Sequence, residues 1–205
     1  MERVHFRRWG LECDPAATRT AYESVTRGAE SCEESVCQNF AAARDRVYPR
    51  EVRDVFQRLG IDRRKEAETF HVCRVGPKTL QVRRESGDRL PDSLLGLHLH
   101  GGWFHLIGSI VEGPDCFEPI VGPPKLGRRV VGRVALDPQS HRAVPGAGQG
   151  WTARLEPVSG TFSMGFTTHT ALVPDSFGGH PIVQVEFEAF VPWVLPEPDS
   201  RELDG

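Results

Sequence analysis

The stretch Pro181–Val191, PIVQVEFEAFV, decides the fold class of this 205-residue chain. Apolar side chains occupy alternate positions, at Val183, Val185, Phe187, Ala189 and Val191. The positions between them carry Gln184, Glu186 and Glu188. Because successive side chains of a strand point to opposite faces, this alternation predicts a strand that is buried on one side only. One-sided burial is typical of antiparallel sheets.

Further strands are predicted upstream of this stretch. Phe162, Met164 and Phe166 alternate in the same way, and shorter patterns predict strands at 2–9, 70–75 and 79–82. The segment 94–111, LLGLHLHGGWFHLIGSIV, contains the pair Gly101-Gly102, which is a favoured two-residue turn. We therefore expect a β-hairpin that turns at this pair.

Helices are predicted before residue 60. Asp14-Pro15 is a helix start, because Asp14 can accept from the free N–H groups of the first turn and proline fits the first helical position. This helix is expected to end at Gly28. A second helix is expected to begin at Ser31, which has capping-box spacing to Glu34, and a third to run from Pro49 to Gly60.

These elements predict an α+β fold in which N-terminal helices pack on a mostly antiparallel, partly curved sheet. We expect one domain over residues 1–205, with a helical part at about 14–60, a β-rich part at about 67–195 and an irregular excursion rich in Gly and Pro at about 113–150. The net charge of −3 gives no case for nucleic-acid binding. We expect no membrane partner and a cytoplasmic location, since no signal peptide is evident and five cysteines do not suggest disulfide staples.

The predicted hairpin gathers histidines. With a turn at Gly101-Gly102, one face would carry His98, His100, Trp103 and His105. Imidazoles at this spacing are able to share a divalent transition metal, and Glu186 or Glu188 would complete the site if its strand lies alongside. The alternative is a polar hairpin on which histidine packs against aromatic rings.

Cysteines supply a second candidate. Cys32 and Cys37 lie near a predicted helix start, and His71 and Cys73 are expected to share one face of a strand. These four side chains form a candidate structural zinc site, with Cys13 as another ligand. Alternatively, Cys32 is a reactive thiol near a helix N-terminus, or the cysteines are ordinary small buried side chains.

Other chemistry is not evident in the sequence. We find neither a Gly-x-Ser-x-Gly motif nor a phosphate-binding loop after a strand. The arginines between Arg44 and Arg64 alternate with acidic residues. This pattern predicts a solvated helix face and not a surface that binds the phosphates of a nucleic acid.

Two resemblances accompany these patterns. His98-x-His100 resembles the first metal motif of the cupins, and His180 is similar to their later histidine, although the glutamate expected soon after the pair is here only at Glu112. Five blocks, FRRW, CQNFAAARDRVYPREV, LGIDRRKEAE, GGWFHLIGSI and PIVQVEFEAFVPWV, resemble an uncharacterised family of bacterial hypothetical proteins. That family has no assigned activity, so the second resemblance implies no cofactor and no site residues.

We therefore expect a non-catalytic binding or interaction module with a protein or small-molecule partner. We favour this interpretation because the sequence contains no recognisable combination of a nucleophile, a base and oxyanion donors. The alternatives are a metal-dependent enzyme with a cupin-like histidine cluster and a small module stabilised by zinc through cysteines.

Overall fold

The computed structural model describes residues 1–26, 28–85, 90–119, 130–131, 151–197 and 199; for 119, 130, 131, 151 and 152 it describes only the backbone. The strands, in chain order, are β1 (Glu2–Phe6), β2 (Trp9–Cys13), β3 (Glu68–Arg74), β4 (His98–Glu112), β5 (Phe117–Pro119), β6 (Val130–Val131), β7 (Trp151–Ala153), β8 (Glu156–Ser159), β9 (Phe162–Thr167) and β10 (Ile182–Val191). The α-helices are α1 (Pro15–Glu23), α2 (Ser35–Val47), α3 (Arg50–Leu59) and α4 (Pro77–Glu85). Single 3₁₀ turns lie at Ala29–Ser31, Asp92–Leu94 and Asp175–Phe177.

Seven strands form the main sheet in the order β1-β2-β4-β10-β9-β8, and β3 also pairs with β4. Each of these pairings is antiparallel. A small sheet has the order β5-β7-β6. The predicted α+β class, with helices on a mostly antiparallel sheet, is confirmed.

Helices α2 and α3 cover one side of the sheet, called here the helical face. Aromatic rings fill this interface: Phe56 lies 4.9 Å from Phe104, and Tyr48 lies 5.9 Å from Phe187. Ring separations of this size are favourable in edge-on or tilted geometry. The opposite side, called here the distal face, carries Gln184, Glu186 and Glu188 of β10.

A buried ion pair links the helices to the segment that leads into β3. Arg44 of α2 forms two 3.1 Å hydrogen bonds with the Glu66 carboxylate, and the Tyr48 hydroxyl donates to the same carboxylate at 2.8 Å. Glu66 is fully buried and Arg44 is 3% exposed. The expected solvated face therefore holds for arginines such as Arg46 and Arg50, which are exposed, and is wrong for Arg44.

The expected β-hairpin at 94–111 is wrong. Residues 98–112 form the single strand β4, and Gly101 and Gly102 lie within it. The reason is a close approach: a Cβ on Gly102 would lie 2.5 Å from the carbonyl oxygen of Glu68 and 2.7 Å from the Phe187 ring. Glycine permits such contact within a strand.

Several local boundaries also differ. The expected strand at 2–9 is two strands with a turn at Arg7-Arg8, and the expected strand at 79–82 lies within α4. Helix α1 ends at Glu23, not at Gly28, and α2 begins at Ser35, so Ser31 caps neither. Strand β10 is buried on both sides along 183–191, so its one-sided burial was also wrong.

The excursion expected at 113–150 falls largely outside the described residues. Its described parts, 113–119 and 130–131, include β5 and β6. Trp9 donates to the carbonyl of Pro114 at 2.8 Å, and a Cβ on Gly165 would lie 2.6 Å from Cys116. The start of the excursion therefore packs on the main sheet.

Candidate functional site

A cleft opens between α1, α3 and residues 60–65. Its shape depends on Gly60, which ends α3 in the left-handed conformation, with φ of 77°. A Cβ at this position would lie 2.2 Å from the carbonyl oxygen of Pro15, so the end of α3 touches the first residue of α1. Lys65 then reaches the end of α1 and donates to the carbonyl oxygens of Tyr22 and Glu23. A cation at this place satisfies free carbonyl groups and complements the helix dipole.

The cleft has a volume of about 560 Å³, which is sufficient for a small organic molecule. Buried apolar side chains, Tyr22, Phe56 and Ile61, contribute to its lining. The charged side chains that line it are Arg19, Glu23, Arg53, Asp54, Asp62, Arg63 and Lys65. Four of these seven are cations.

Two of the three acids of the cleft have partners within the protein. Asp62 accepts a hydrogen bond from the backbone N–H of Arg64 at 3.0 Å, and Asp54 lies 3.7 Å from Arg50 outside the cleft. Arg63 donates to Asp45 at 3.0 Å, and this hydrogen bond holds the pKa of Asp45 below its usual value. The Nε of Arg63, however, is buried and has no hydrogen-bond partner among the described residues. Such a buried donor is unusual, because most buried polar groups are satisfied.

The ring of Tyr22 lines the cleft, but its hydroxyl forms hydrogen bonds with strand β4. The hydroxyl donates to the carbonyl oxygen of His105 at 2.8 Å and accepts from the N–H of His105 at 3.1 Å. Burial raises the pKa of this hydroxyl. Tyr22 therefore contributes surface to the cleft and is not poised as a proton acceptor.

The structure separates the histidines that were predicted to lie together. Because β4 is continuous, His98 and His100 lie on the helical face, whereas His105 lies on the distal face. His71 of β3 joins the first pair: its ring centre is 5.2 Å from that of His98 and 5.1 Å from that of His100. Nε2 of His71 lies 3.2 Å from Nδ1 of His98. The predicted set His98, His100 and His105 is therefore wrong as a single cluster.

Strand β10 does lie alongside β4, as the histidine hypothesis required, but its carboxylates face His105. Gln184 pairs with His105, and Glu186 pairs with Trp103. The backbone N–H of Ala171 donates to Oε1 of Gln184 at 2.7 Å, which orients the amide. Nε2–H of His105 then donates to that oxygen at 3.2 Å, and the amide nitrogen of Gln184 donates to Glu186. Burial lowers the pKa of His105 to about 4, so this imidazole is neutral near pH 7.

The remaining predicted residues of the distal face have separate partners. Glu188 accepts from Arg83 of α4 at 2.9 Å. The Trp103 indole N–H donates to the carbonyl of Ala171 at 3.1 Å, and its ring is 6.2 Å from Phe70. These contacts join α4 and the 168–173 loop to the sheet.

The candidate zinc set is also divided. A bulge between His71 and Cys73 changes the register, so His71 pairs with His100 on the helical face and Cys73 pairs with Leu99 on the distal face. The expectation that His71 and Cys73 share a face was therefore wrong, since one extra residue reverses the side on which a side chain lies. Cys13 is buried in β2, where its thiol contacts the carbonyl of Glu2.

Cys32 and Cys37 both lie near the start of α2. Burial, together with the influence of Cys32, raises the pKa of the Cys37 thiol to about 12. Across the described part of the chain, however, no three His, Cys, Asp or Glu side chains are arranged to hold a metal ion. The cupin-like pair has no support from His180 either, because His180 is exposed and precedes the end of β10 that lies farthest from His98.

Comparison of the chain with family models, with curated proteins and with solved structures found no match. None of the described helices has the length and the hydrophobicity that a membrane span requires.

The sequence does not predict the cleft. Gly60 indicates a helix stop, but nothing in the local pattern shows which surface the following residues meet. The alternating charges of 44–64 predict a solvated face, but Arg63 within this range is half-buried. The local signal for the cleft is the group of basic residues, Arg63, Arg64 and Lys65, which begins three positions after the helix stop at Gly60.

Proposed function

We propose that this protein is a non-catalytic binding module that takes a small anionic molecule, such as a phosphate or carboxylate compound, in the cleft between α1 and α3. The observation that carries the proposal is that Arg19, Arg53, Arg63 and Lys65 line one cleft. In addition, the Nε of Arg63 has no hydrogen-bond partner among the described residues. A carboxylate or phosphate oxygen is the natural acceptor for a guanidinium donor.

The surroundings of Arg63 support an anion. Arg19, Arg53 and Lys65 line the same cleft, and three acids oppose these four cations. Outside the lining, Arg50 lies near Asp54 and Asp45 pairs with Arg63, so these two outside charges offset each other. The four cations and three acids of the lining therefore leave one net positive charge, which favours an anion.

A binding role fits the lining better than a catalytic one. The described residues of the lining include no Ser, Thr, Cys or His, and the Tyr22 hydroxyl is occupied by the His105 backbone. The most common catalytic nucleophiles, Ser, Thr and Cys, and the most common base, His, are therefore absent from this lining.

The metal-based alternatives have less support. The metal-dependent enzyme requires His98, His100 and His105 on one face, but the continuous strand β4 places His105 on the other face. The zinc module requires His71 and Cys73 on one face, but the bulge in β3 separates them. A cytoplasmic location remains part of the proposal, and the free thiols of all five cysteines support it.

Calorimetric titration with inorganic phosphate and with citrate tests the proposal. At low ionic strength we expect one of these anions to bind with a Kd of about 1 mM or below. Arg63→Gln should weaken that binding about tenfold or more, because a charge-assisted hydrogen bond is lost. Arg46→Gln is the matched control, since it removes the same charge from an exposed position of α2 that does not line the cleft.

The proposal fails if neither anion binds the wild-type protein. It also fails if Arg46→Gln and Arg63→Gln weaken binding equally, since the effect would then be one of overall charge. Thermal melting of both variants shows whether Arg63→Gln retains the fold, so a loss of binding is distinguished from a loss of structure.

A further inference from the structure

The segment after β10 is attached to the helical face by a side chain. Residues 192–197 and Asp199, called here the tail, form neither helix nor strand. The amide of Asn39, which is fully buried in α2, contacts the tail backbone twice: Nδ2 donates to the carbonyl oxygen of Pro192 at 3.0 Å, and Oδ1 accepts from the N–H of Val194 at 2.7 Å. This attachment does not use the hydrogen-bond ladder of the sheet.

The tail also contacts His98 of β4. The ring centre of Trp193 lies 5.2 Å from that of His98, and the Asp199 carboxylate lies 3.8 Å from Nε2 of His98. His98 is 1% exposed and Asp199 is 4% exposed. The Trp193 indole N–H donates to the carbonyl of Glu197 at 2.7 Å, which folds the tail back on itself. One imidazole therefore meets two side chains of the tail away from solvent.

The other ring nitrogen of His98 faces His71. Nδ1 of His98 lies 3.2 Å from Nε2 of His71, and a hydrogen bond between them needs one N–H and one lone pair. With Nε2–H of His98 directed at Asp199, the uncharged pair is joined by donation from His71 to His98. When one proton is added, Nδ1–H of His98 donates to His71 instead. A second proton would set two N–H groups against each other, so the pair accommodates one proton.

The neighbouring strands supply no competing charge close to this pair among the described residues. Strand β10 places Val191 opposite His98 and Ala189 opposite His100. Arg74 of β3 is paired with His98 but is exposed, so water and salt screen its charge. Glu197 of the tail is exposed as well.

His100 and α2 complete the surroundings. The ring centre of His100 lies 5.1 Å from that of His71 and 5.1 Å from that of Phe40, so His100 has an aromatic neighbour where His98 has Asp199. The titratable side chains among the buried residues of α2 are Cys37 and Arg44. Burial raises the pKa of the Cys37 thiol to about 12, and Arg44 pairs with Glu30 and Glu66.

We propose that the tail is a proton-controlled cover of this part of the helical face. One proton on the His71–His98 pair holds the tail against the sheet, and loss of that proton as the pH rises releases it. This inference concerns a different part of the molecule from the anion cleft and does not depend on it.

The fold determines which partner moves. Loss of the proton deprives the buried Asp199 carboxylate of this counter-charge, and a buried charge without a partner is costly. His98 is unable to leave, because β3 and β10 pair with both sides of β4 at this position. Asp199 is able to leave, because the tail lies outside the sheet. Detachment of the tail therefore returns the carboxylate to water.

Linkage gives the direction of the pH dependence. The docked carboxylate favours the protonated pair, so protonation and docking strengthen each other. An imidazole without such neighbours titrates near pH 6.5, so docking should be strong at about pH 6 and weaker at about pH 8.5. This window lies well above the pKa of about 4 of His105 on the distal face.

The test is hydrogen exchange at the Val194 amide of the full chain between about pH 6 and pH 8.5. This N–H loses its bond to Asn39 when the tail detaches, and its protection factor already corrects for the pH dependence of exchange in an unstructured peptide. We expect the wild-type protection factor to fall about tenfold, with a slope of at most one proton. The Val185 amide in the central strand β10 is the internal reference for global unfolding.

Three variants sharpen the test. Asp199→Asn removes the charge of the tail, and His98→Gln removes the group that takes up the proton; in both, protection at Val194 should no longer change with pH. His180→Gln is the matched control for the second substitution, because it removes an exposed histidine and should behave as the wild type does.

A wild-type protection factor at Val194 that stays constant over this range would overturn the proposal. So would an Asp199→Asn variant that keeps the wild-type pH dependence, or an equal change at Val185, which would report a loss of global stability. If His98→Gln does not fold, Asp199→Asn gives the decision, because its substitution lies outside the sheet.

Discussion

The Tyr22 hydroxyl takes the place of a strand partner for the backbone of His105. Strand β3 covers one edge of β4 up to Trp103, and β2 begins to pair at Gly108, so the backbone between them faces neither strand. Tyr22 both donates to and accepts from His105, while Thr18 accepts from the N–H of Ile107 at 3.0 Å. Helix α1 thus closes a gap in the sheet edge, where unpaired buried backbone groups would be costly.

Tyr22→Phe should reveal this role. The ring stays, but a buried N–H and a buried carbonyl lose their partner, so the free energy of unfolding should fall by about 1–3 kcal/mol. Urea denaturation measures the change. Thr18→Ser is the control, because it keeps the hydroxyl that serves Ile107 and should cost less. Equal stability of Tyr22→Phe and wild type would contradict the assigned role.

His105 should make the protein less stable in acid. The pKa of the folded state is about 4, below the value of about 6.5 for an unfolded histidine. The unfolded chain therefore binds more protons between these values, and stability decreases as the pH falls through this window. The difference of about 2.5 pKa units corresponds to about 3 kcal/mol, which is lost in full below about pH 4.

His105→Gln tests the effect, because an amide retains a donor for Gln184 but does not titrate. Between about pH 7 and 4.5 the unfolding free energy of the variant should depend less steeply on pH than that of the wild type. The comparison of the two proteins cancels the contributions of carboxylates that titrate in the same range. Parallel pH profiles would show that His105 is not the group responsible.

The Arg44–Glu66 pair should be sensitive to removal of one partner. Glu66→Gln leaves a buried guanidinium without its main counter-charge, and such changes cost about 3–5 kcal/mol. Asp54→Asn is the comparison, since its partner Arg50 is exposed and surface pairs contribute about 0–1 kcal/mol. Thermal or urea unfolding of the two variants gives the contrast. A loss for Glu66→Gln as small as that for Asp54→Asn would contradict a structural role for the pair.

Local signals predicted the helical part of the fold well. Asp14 accepts from the N–H of Ala17 at 2.9 Å as the expected cap of α1, and Gly60 ends α3 as expected. Both features depend on neighbours within a few residues, which a sequence displays directly. The alternation at 162–166 and 183–191 likewise predicted β9 and β10.

The errors arose where distant residues decide the structure. Gly101-Gly102 has the composition of a turn, but Gly102 lies in a strand because Phe187 and the Glu68 backbone approach it closely. The bulge between His71 and Cys73 has no local mark, yet it divides a candidate metal set. Glu186 and Glu188 alternate like solvent-facing residues, but Gln184 and Arg83 contact them in the folded protein. The cleft follows the same rule, because it exists only where the residues after Gly60 meet α1.

Gly60→Ala should therefore affect both stability and the cleft. The new Cβ would lie 2.2 Å from the carbonyl oxygen of Pro15, and the left-handed backbone disfavours any side chain. Backbone cannot move aside as a flexible side chain does, so we expect a loss of about 2 kcal/mol or more. Gly160→Ala is the matched control, because open space surrounds its position and no positive φ is required. If Gly60→Ala melts as the wild type does and binds phosphate or citrate equally well, the contact between α3 and α1 does not shape the cleft.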